Sequence, residues 1–198
     1  MPGVLTITFE REITIVTPGI KYTGNITVPK ANSRTIDIIN SPNRVSYHDS
    51  TNILKGYIAL QNAKILEYDG QQLACDDFWQ VKLDNILFFH DNEQRVGTYA
   101  DLMMFRKTAG RKSGKSDQYD SEIEMVLKKG DSDFFLVSAR YHGNLNTKMN
   151  NNFLPLSAAF IKHCIYSNGE WQYNDWDTPH GFVAAATKYI ESCSVPKS

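Results

Sequence analysis

The sequence predicts a mainly β (α+β) protein made of two small antiparallel β-barrel-like modules, with a short helical insert in the first and an amphipathic helix at the C-terminus. Three observations predict it. Apolar and polar residues alternate with period two in several short runs rich in β-branched and aromatic residues. Turn signals separate those runs, at Pro18-Gly19, Asp69-Gly70, Gly130-Asp131 and Asn168-Gly169. Two echoes recur in the same order in both halves: KYTGNI at Lys21 to Ile26 with RYHGNL at Arg140 to Leu145, and YIALQNA at Tyr57 to Ala63 with FLPLSAA at Phe153 to Ala159.

The elements follow in order. VLTITFEREITIV, from Val4 to Val16, alternates as a strand or hairpin with one buried face, and IKYTGNITV, from Ile20 to Val28, resumes the alternation after a turn, so the two pair antiparallel. SRTIDIIN, from Ser33 to Asn40, breaks the period: Ile36 and Ile39 lie one helical turn apart and Ser33 can cap, which predicts a short helix. Gly56 to Tyr68 reads as a strand, and Phe78 to His90 as its returning partner or partners. Asn92 to Phe105 fits a helix or a strand equally. Arg106 to Gln118, RKTAGRKSGKSDQ, has no apolar period and reads as a basic loop or linker, giving a first module at 1–105, a linker at 106–118 and a second module at 119–198.

In the second module EIEMVLKK, DFFLVSARYHGNL, FLPLSAAFIKHCIYS and EWQY are strands. The Asn-rich NTKMNNN stands where the first module has its helix, so the insert is expected in the first module only. Phe182, Ala185, Ala186, Tyr189, Ile190 and Cys193 fall at helical spacing after Asp177-Thr178-Pro179, which predicts the C-terminal helix.

Composition limits function. There are 21 Lys and Arg against 22 Asp and Glu, so the overall field favours neither a phosphate backbone nor an anionic membrane surface. The N-terminal residues reach charge too early for a secretory signal, and no apolar run approaches the ~18 residues of a membrane span. Three cysteines without a CxxC spacing, Cys75, Cys164 and Cys193, read as buried thiols of a soluble cytoplasmic protein.

RTIDIIN, followed by the YIALQNA strand, a glycine turn and a VKLDNILFF strand, resembles an uncharacterised bacterial family of small β-barrel domains with an Arg-x-x-Asp-x-x-Asn pattern. Arg34, Asp37 and Asn40 match that pattern, and the resemblance covers about residues 4–91. It implies a small barrel with a helical insert and no reaction. Thr35 and Ile36 depart from the family, as does the longer segment before the next strand. The strand order also resembles Sm-type barrels, as fold analogy alone. Physically, Arg34 and Asp37 at i, i+3 can pair on the helix and Asn40 can end it, so the trio serves either to hold the insert on the sheet or as a recognition surface.

The remaining chemistry is sparse. AGRKSGKS, Ala109 to Ser116, meets the loose form of a phosphate-binding loop, but a strand rather than a helix follows it. Arg106, Lys107, Arg111, Lys112 and Lys115 then form a solvated basic loop, with a phosphate or nucleic-acid contact as the weaker reading. The five histidines lack ligand spacing, and no G-x-S-x-G elbow is present, so neither metal nor cofactor is expected. Trp171, Tyr173 and Trp176, interleaved with Asn174 and Asp175, either seal the last helix to the sheet or stack on a partner. The expectation is a non-enzymatic binding or regulatory protein whose partner is another protein or a second copy of itself. The alternative is a small hydrolase-like enzyme with a pocket between the modules, using His142, Asn144 and Asp177.

Overall fold

The computed structural model describes residues 9–28, 35–40, 54–91, 120–128, 130, 133–142, 145–176 and 182–195. They form antiparallel sheet with two short helices, and the chain divides into two compact units. One unit holds Met1–Ile86 with Asp91–Glu93, and the other holds Leu87–His90 with Gln94–Ser198.

The first unit begins as a meander. β1 (Phe9–Thr17) pairs with β2 (Ile20–Val28) in unbroken register from Phe9↔Val28 to Thr17↔Ile20. Gly19 supplies the left-handed backbone of the connecting turn at φ 79°. Tyr68 fastens this turn from across the unit, its hydroxyl donating to the Thr17 carbonyl and accepting the Gly19 N–H. Helix α1 (Thr35–Asn40) follows, with Ile36 and Ile39 buried. β3 (Tyr57–Leu66) then pairs with β2 and with β4 (Gln72–Lys82), and a 3-10 turn, η1 (Leu83–Asn85), leads to β5 (Phe88–Asp91). Ile13, Ile15, Ile26, Val28 and Leu60 supply the apolar core.

In the second unit β6 (Asp120–Lys128), β7 (Asp133–His142) and β8 (Phe153–Ser167) form the same meander, with helix α2 (Leu145–Lys148) between β7 and β8. β9 (Glu170–Trp176) pairs with the C-terminal part of β8, and β10 (Val183–Ala186) with its first four residues. A 3-10 turn, η2 (Thr187–Tyr189), leads to β11 (Ile190–Ser194), which pairs with β6. Residues Phe88 and Phe89 of β5 lie on the other side of β10.

Residue by residue, the two meanders share their irregularities. In the first, the β2–β3 register slips between Thr23↔Lys64 and Asn25↔Gln61, at Asn62 with φ 50°; in the second, the β7–β8 register slips between Ser138↔Phe160 and Arg140↔Ser157, at Ala158 with φ 48°. Each slip is a β-bulge, which bends its strand at a fixed place. The pairs Tyr57↔Lys82 and Leu60↔Trp79 then match Phe153↔Ala186 and Leu156↔Val183, so Trp79–Lys82 of β4 is the counterpart of β10. Both counterparts run into a 3-10 turn of the same length and similar entry backbone, φ −68° and ψ 123° at Lys82 against φ −69° and ψ 115° at Ala186. β5 and β11 are therefore counterparts too.

Four expectations are corrected. Among the described residues the C-terminal stretch forms no α-helix: Val183, Ala184, Ala185 and Ala186 are all buried in a strand with a neighbour on either side, and such a strand needs a continuous apolar run that also satisfies helical spacing. The helical insert is not confined to the first module, since α2 occupies the same connection in the second. Neither sheet closes into a barrel among the described residues, because β4 ends one strand order while the outer side of β10 is taken by β5. Finally, the alignment of YIALQNA with FLPLSAA agrees with the bulges, but KYTGNI and RYHGNL are out of step by four residues: the pairing matches Asn25 with Arg140.

No helix of the described residues is long and apolar enough to cross a membrane. Residues 92–119 include both the ambiguous segment and the basic linker, and they lie outside the described residues.

Candidate interaction surface

Period-two alternation sends every second side chain of β7, β8 and β9 to one side, and here five of those side chains are aromatic: Phe134, Phe160, Tyr166, Trp171 and Tyr173. Across the three strands the register sets Leu136 beside Lys162 and Asp175, Phe134 beside Cys164 and Tyr173, and Tyr166 beside Trp171. Ser138 lies beside Phe160 at one end. Phe160, Tyr166, Trp171 and Tyr173 are 53%, 55%, 43% and 58% exposed, so these rings are presented to solvent rather than used to fill a core. They are also organised. Trp171 meets Phe134 edge to face at 5.0 Å and Tyr166 at 5.2 Å, and the Lys162 ammonium stands 5.7 Å from the Phe160 ring centre. Both signs of charge are present: Lys162 and Asp175 lie across the middle, between Phe160 and Tyr173, and Arg140, whose guanidinium is 3.5 Å from Glu122, lies beyond Ser138 at one end.

The opposite side of β7 and β8 is core, and Trp176 at the end of β9 packs onto it. Trp176 packs edge to face on Phe88 at 5.7 Å and on Phe135 at 5.6 Å. His163 stacks on Phe135 at 4.6 Å, and its Nε2 lies 3.0 Å from an Asp133 carboxylate oxygen. This polar pair bridges neighbouring strands from the buried side. Cys164 lies within the aromatic side yet is itself fully buried. Burial pushes its thiol pKa up, against smaller lowering effects from the Leu136 backbone and the Lys162 charge. That holds the thiol protonated and weakly nucleophilic. Cys75 and Cys193, in contrast, are exposed, which corrects the expectation of three buried thiols.

Of the trio Trp171, Tyr173 and Trp176, the first two share the solvent face and the third is half-buried against Phe88 and Phe135 on the other side. The spacing alone could have separated them, because positions 171 and 173 have the same parity and 176 does not. Phe134, Leu136, Phe160 and Tyr166 were missed because each sits in a strand whose other face accounts for its apolar content. The available signal was the short Asn168-Gly169 turn, which sets Tyr166 opposite Trp171.

Elsewhere, Arg34 lies outside the described residues, as do Arg106, Lys107, Arg111, Lys112 and Lys115. Asp37 is exposed and Asn40 half-buried on α1. Thr35, one of the departures from the resembled family, ties the helix down. Its hydroxyl donates to the Asp91 carboxylate at 2.8 Å and accepts from Arg11 Nη1 at 3.3 Å, while Arg11 Nε lies 3.3 Å from the same carboxylate. All three side chains are buried, so the charges are compensated locally. Asn144, Asp177 and the side chain of His142 also lie outside the described residues. An open cleft beside η2 is lined by Lys128, Gly130, Lys188, Tyr189, Ile190 and Glu191, and Lys128 pairs with Glu191 at 3.8 Å. Among the described residues no three His, Cys, Asp or Glu side chains converge as metal ligands.

The counterpart surface in the first unit is different. The matched registers set Lys21 beside Leu66 where the second unit has Leu136 beside Lys162, and Lys64 where it has Phe160. The shared scaffold therefore exchanges lysine and leucine within one pair and replaces a lysine by an aromatic ring at another position. No family model, curated protein or solved structure matches the chain.

Proposed function

We propose that this chain is a non-enzymatic protein-binding module, and that its recognition surface is the aromatic side of β7, β8 and β9. The observation that carries this reading is the row Phe160, Tyr166, Trp171 and Tyr173, exposed together on regular strands and braced by Phe134. Rings held on a sheet lose little conformational freedom on binding, and exposed Trp and Tyr are the side chains that dominate protein interfaces. The partner chemistry follows from the charges. With Lys162 and Asp175 between the rings and Arg140 and Glu122 at one end, the surface carries mixed charge, which suits a protein patch of apolar and mixed polar groups and disfavours a polyanion. Sheet edges and the basic segment at 106–118 are secondary contact regions in this reading.

The test is a paired capture from nuclease-treated native lysate, using the wild-type chain and a Trp171→Ala/Tyr173→Ala variant as baits, with a hydrolase activity screen on the purified protein. A protein retained by the wild type and lost by the variant supports the proposal. Equal capture by both baits, or recovery of nucleic acid alone from untreated lysate, would overturn it, as would substrate turnover unaffected by the double substitution.

A further inference from the structure

We propose that copies of this chain associate head to tail, the outer edge of β11 in one copy pairing antiparallel with the outer edge of β4, at Trp79 to Lys82, in the next. This surface is distinct from the aromatic face and does not depend on it. The repeated architecture carries this pairing. β10 has β8 on one side and β5 on the other, with Ala184 opposite Phe89, Ala185 opposite Phe88, and the Ala186 N–H donating to the Leu87 carbonyl at 2.8 Å. Trp79–Lys82 is the counterpart of β10, and β11 is the counterpart of β5. The pairing made by β10 and β5 is thus an edge-to-edge contact between these two kinds of strand. One strand of each kind remains over: among the described residues, β4 has β3 as its one sheet neighbour and β11 has β6.

Those remaining edges suit each other. By the same register Val81 would face Ser192, Gln80 would face Cys193, and the Lys82 N–H would point to the Glu191 carbonyl. The Leu83 N–H donates back to Gly56 at 2.9 Å, which turns the Lys82 N–H to the outward side of β4. Side-chain size is also exchanged. In the pairing already made, small residues on β10 meet Phe88 and Phe89; in the proposed one, the larger Gln80 and Val81 meet the small Ser192 and Cys193. β11 is open for this, since Ser192, Cys193 and Ser194 are exposed whereas all four residues of β10 are buried. A contact between two different edges is heterologous, so it repeats from copy to copy into a ring or a filament.

Sedimentation of the full chain from micromolar to near-millimolar concentration tests this, together with a Lys82→Pro variant. The backbone at Lys82, φ −68°, already suits proline, so the substitution removes the outward N–H and leaves the β3 pairing in place. A mass that rises with concentration, association weakened about tenfold or more by Lys82→Pro, and no change with Trp171→Ala/Tyr173→Ala are expected. A chain that stays monomeric throughout, or association indifferent to Lys82→Pro in a variant whose circular dichroism is unchanged, overturns the proposal. A Gln80→Cys substitution in a Cys75→Ser background gives a gain-of-signal readout that does not depend on the proline variant. Oxidation with diamide, which takes up the two protons and two electrons of each thiol pair, should join residue 80 of one chain to Cys193 of the next. A ladder of trimers and longer species is the expected result, and dimers alone or no cross-link contradicts it.

Discussion

The two halves of this protein solve the same bending problem with different residues. Each has a meander with a bulge in its third strand, then a 3-10 turn into a last strand, yet the first half places Asn62 at the left-handed bulge position and the second places Ala158 there. Opposite the bulge, the first half has Gly24, where an added Cβ would lie 2.9 Å from the Gln61 carbonyl oxygen; its counterpart in the second half is Ala139. The first half also anchors its helix with the buried Arg11, Thr35 and Asp91, whose charged members have Ser121 and Val195 as counterparts. A common backbone therefore tolerates quite different local chemistry, and its solvent faces are free to diverge, as where Lys64 of one copy stands at the place of Phe160 in the other.

Substitutions can break or sharpen this contrast. The largest effect is expected from Asp91→Ala, which leaves Arg11 buried without its carboxylate; about 3–5 kcal/mol of stability should be lost, read by urea unfolding. Val195→Ala, at the exposed counterpart position, should change stability by less than about 0.5 kcal/mol in the same assay. Gly24→Ala should cost about 1–3 kcal/mol through the close backbone approach, whereas Ala139→Gly should cost about 1 kcal/mol or less, for chain entropy. Exchange of the bulge residues is a finer probe. Ala158→Asn should stabilise and Asn62→Ala destabilise, each by about 1 kcal/mol or less, because asparagine accepts a positive φ more readily than alanine. The smallest change in stability, within about 0.5 kcal/mol, is expected for Tyr173→Ala, whose ring is exposed; its consequence should appear in partner capture instead.

How far the sequence could be read follows from the same contrasts. The Ile20 to Val28 strand was legible to the residue because alternation and a Pro-Gly turn agree there. The last strands were not. A four-residue apolar run buried on every side carries no period, and the spacing of Phe182, Ala185 and Ala186 imitated a helix. Trp171 and Tyr173 were legible as a candidate surface, but Phe160 and Tyr166 join them only through strand register, which one segment read alone does not reveal. Arg11, Thr35 and Asp91 were invisible for a related reason: they are 80 positions apart at the extremes, and only folding brings their charges together.

The most direct test of matched strands with unequal edges is residue-resolved amide hydrogen exchange on dilute protein, comparing Val183–Ala186 with Trp79–Lys82. Slow exchange is expected at Ala186, whose N–H is bonded to Leu87, and fast exchange at its counterpart Lys82, slowing as concentration rises. Equal protection of Lys82 and Ala186 at high dilution, with no dependence on concentration, would contradict it.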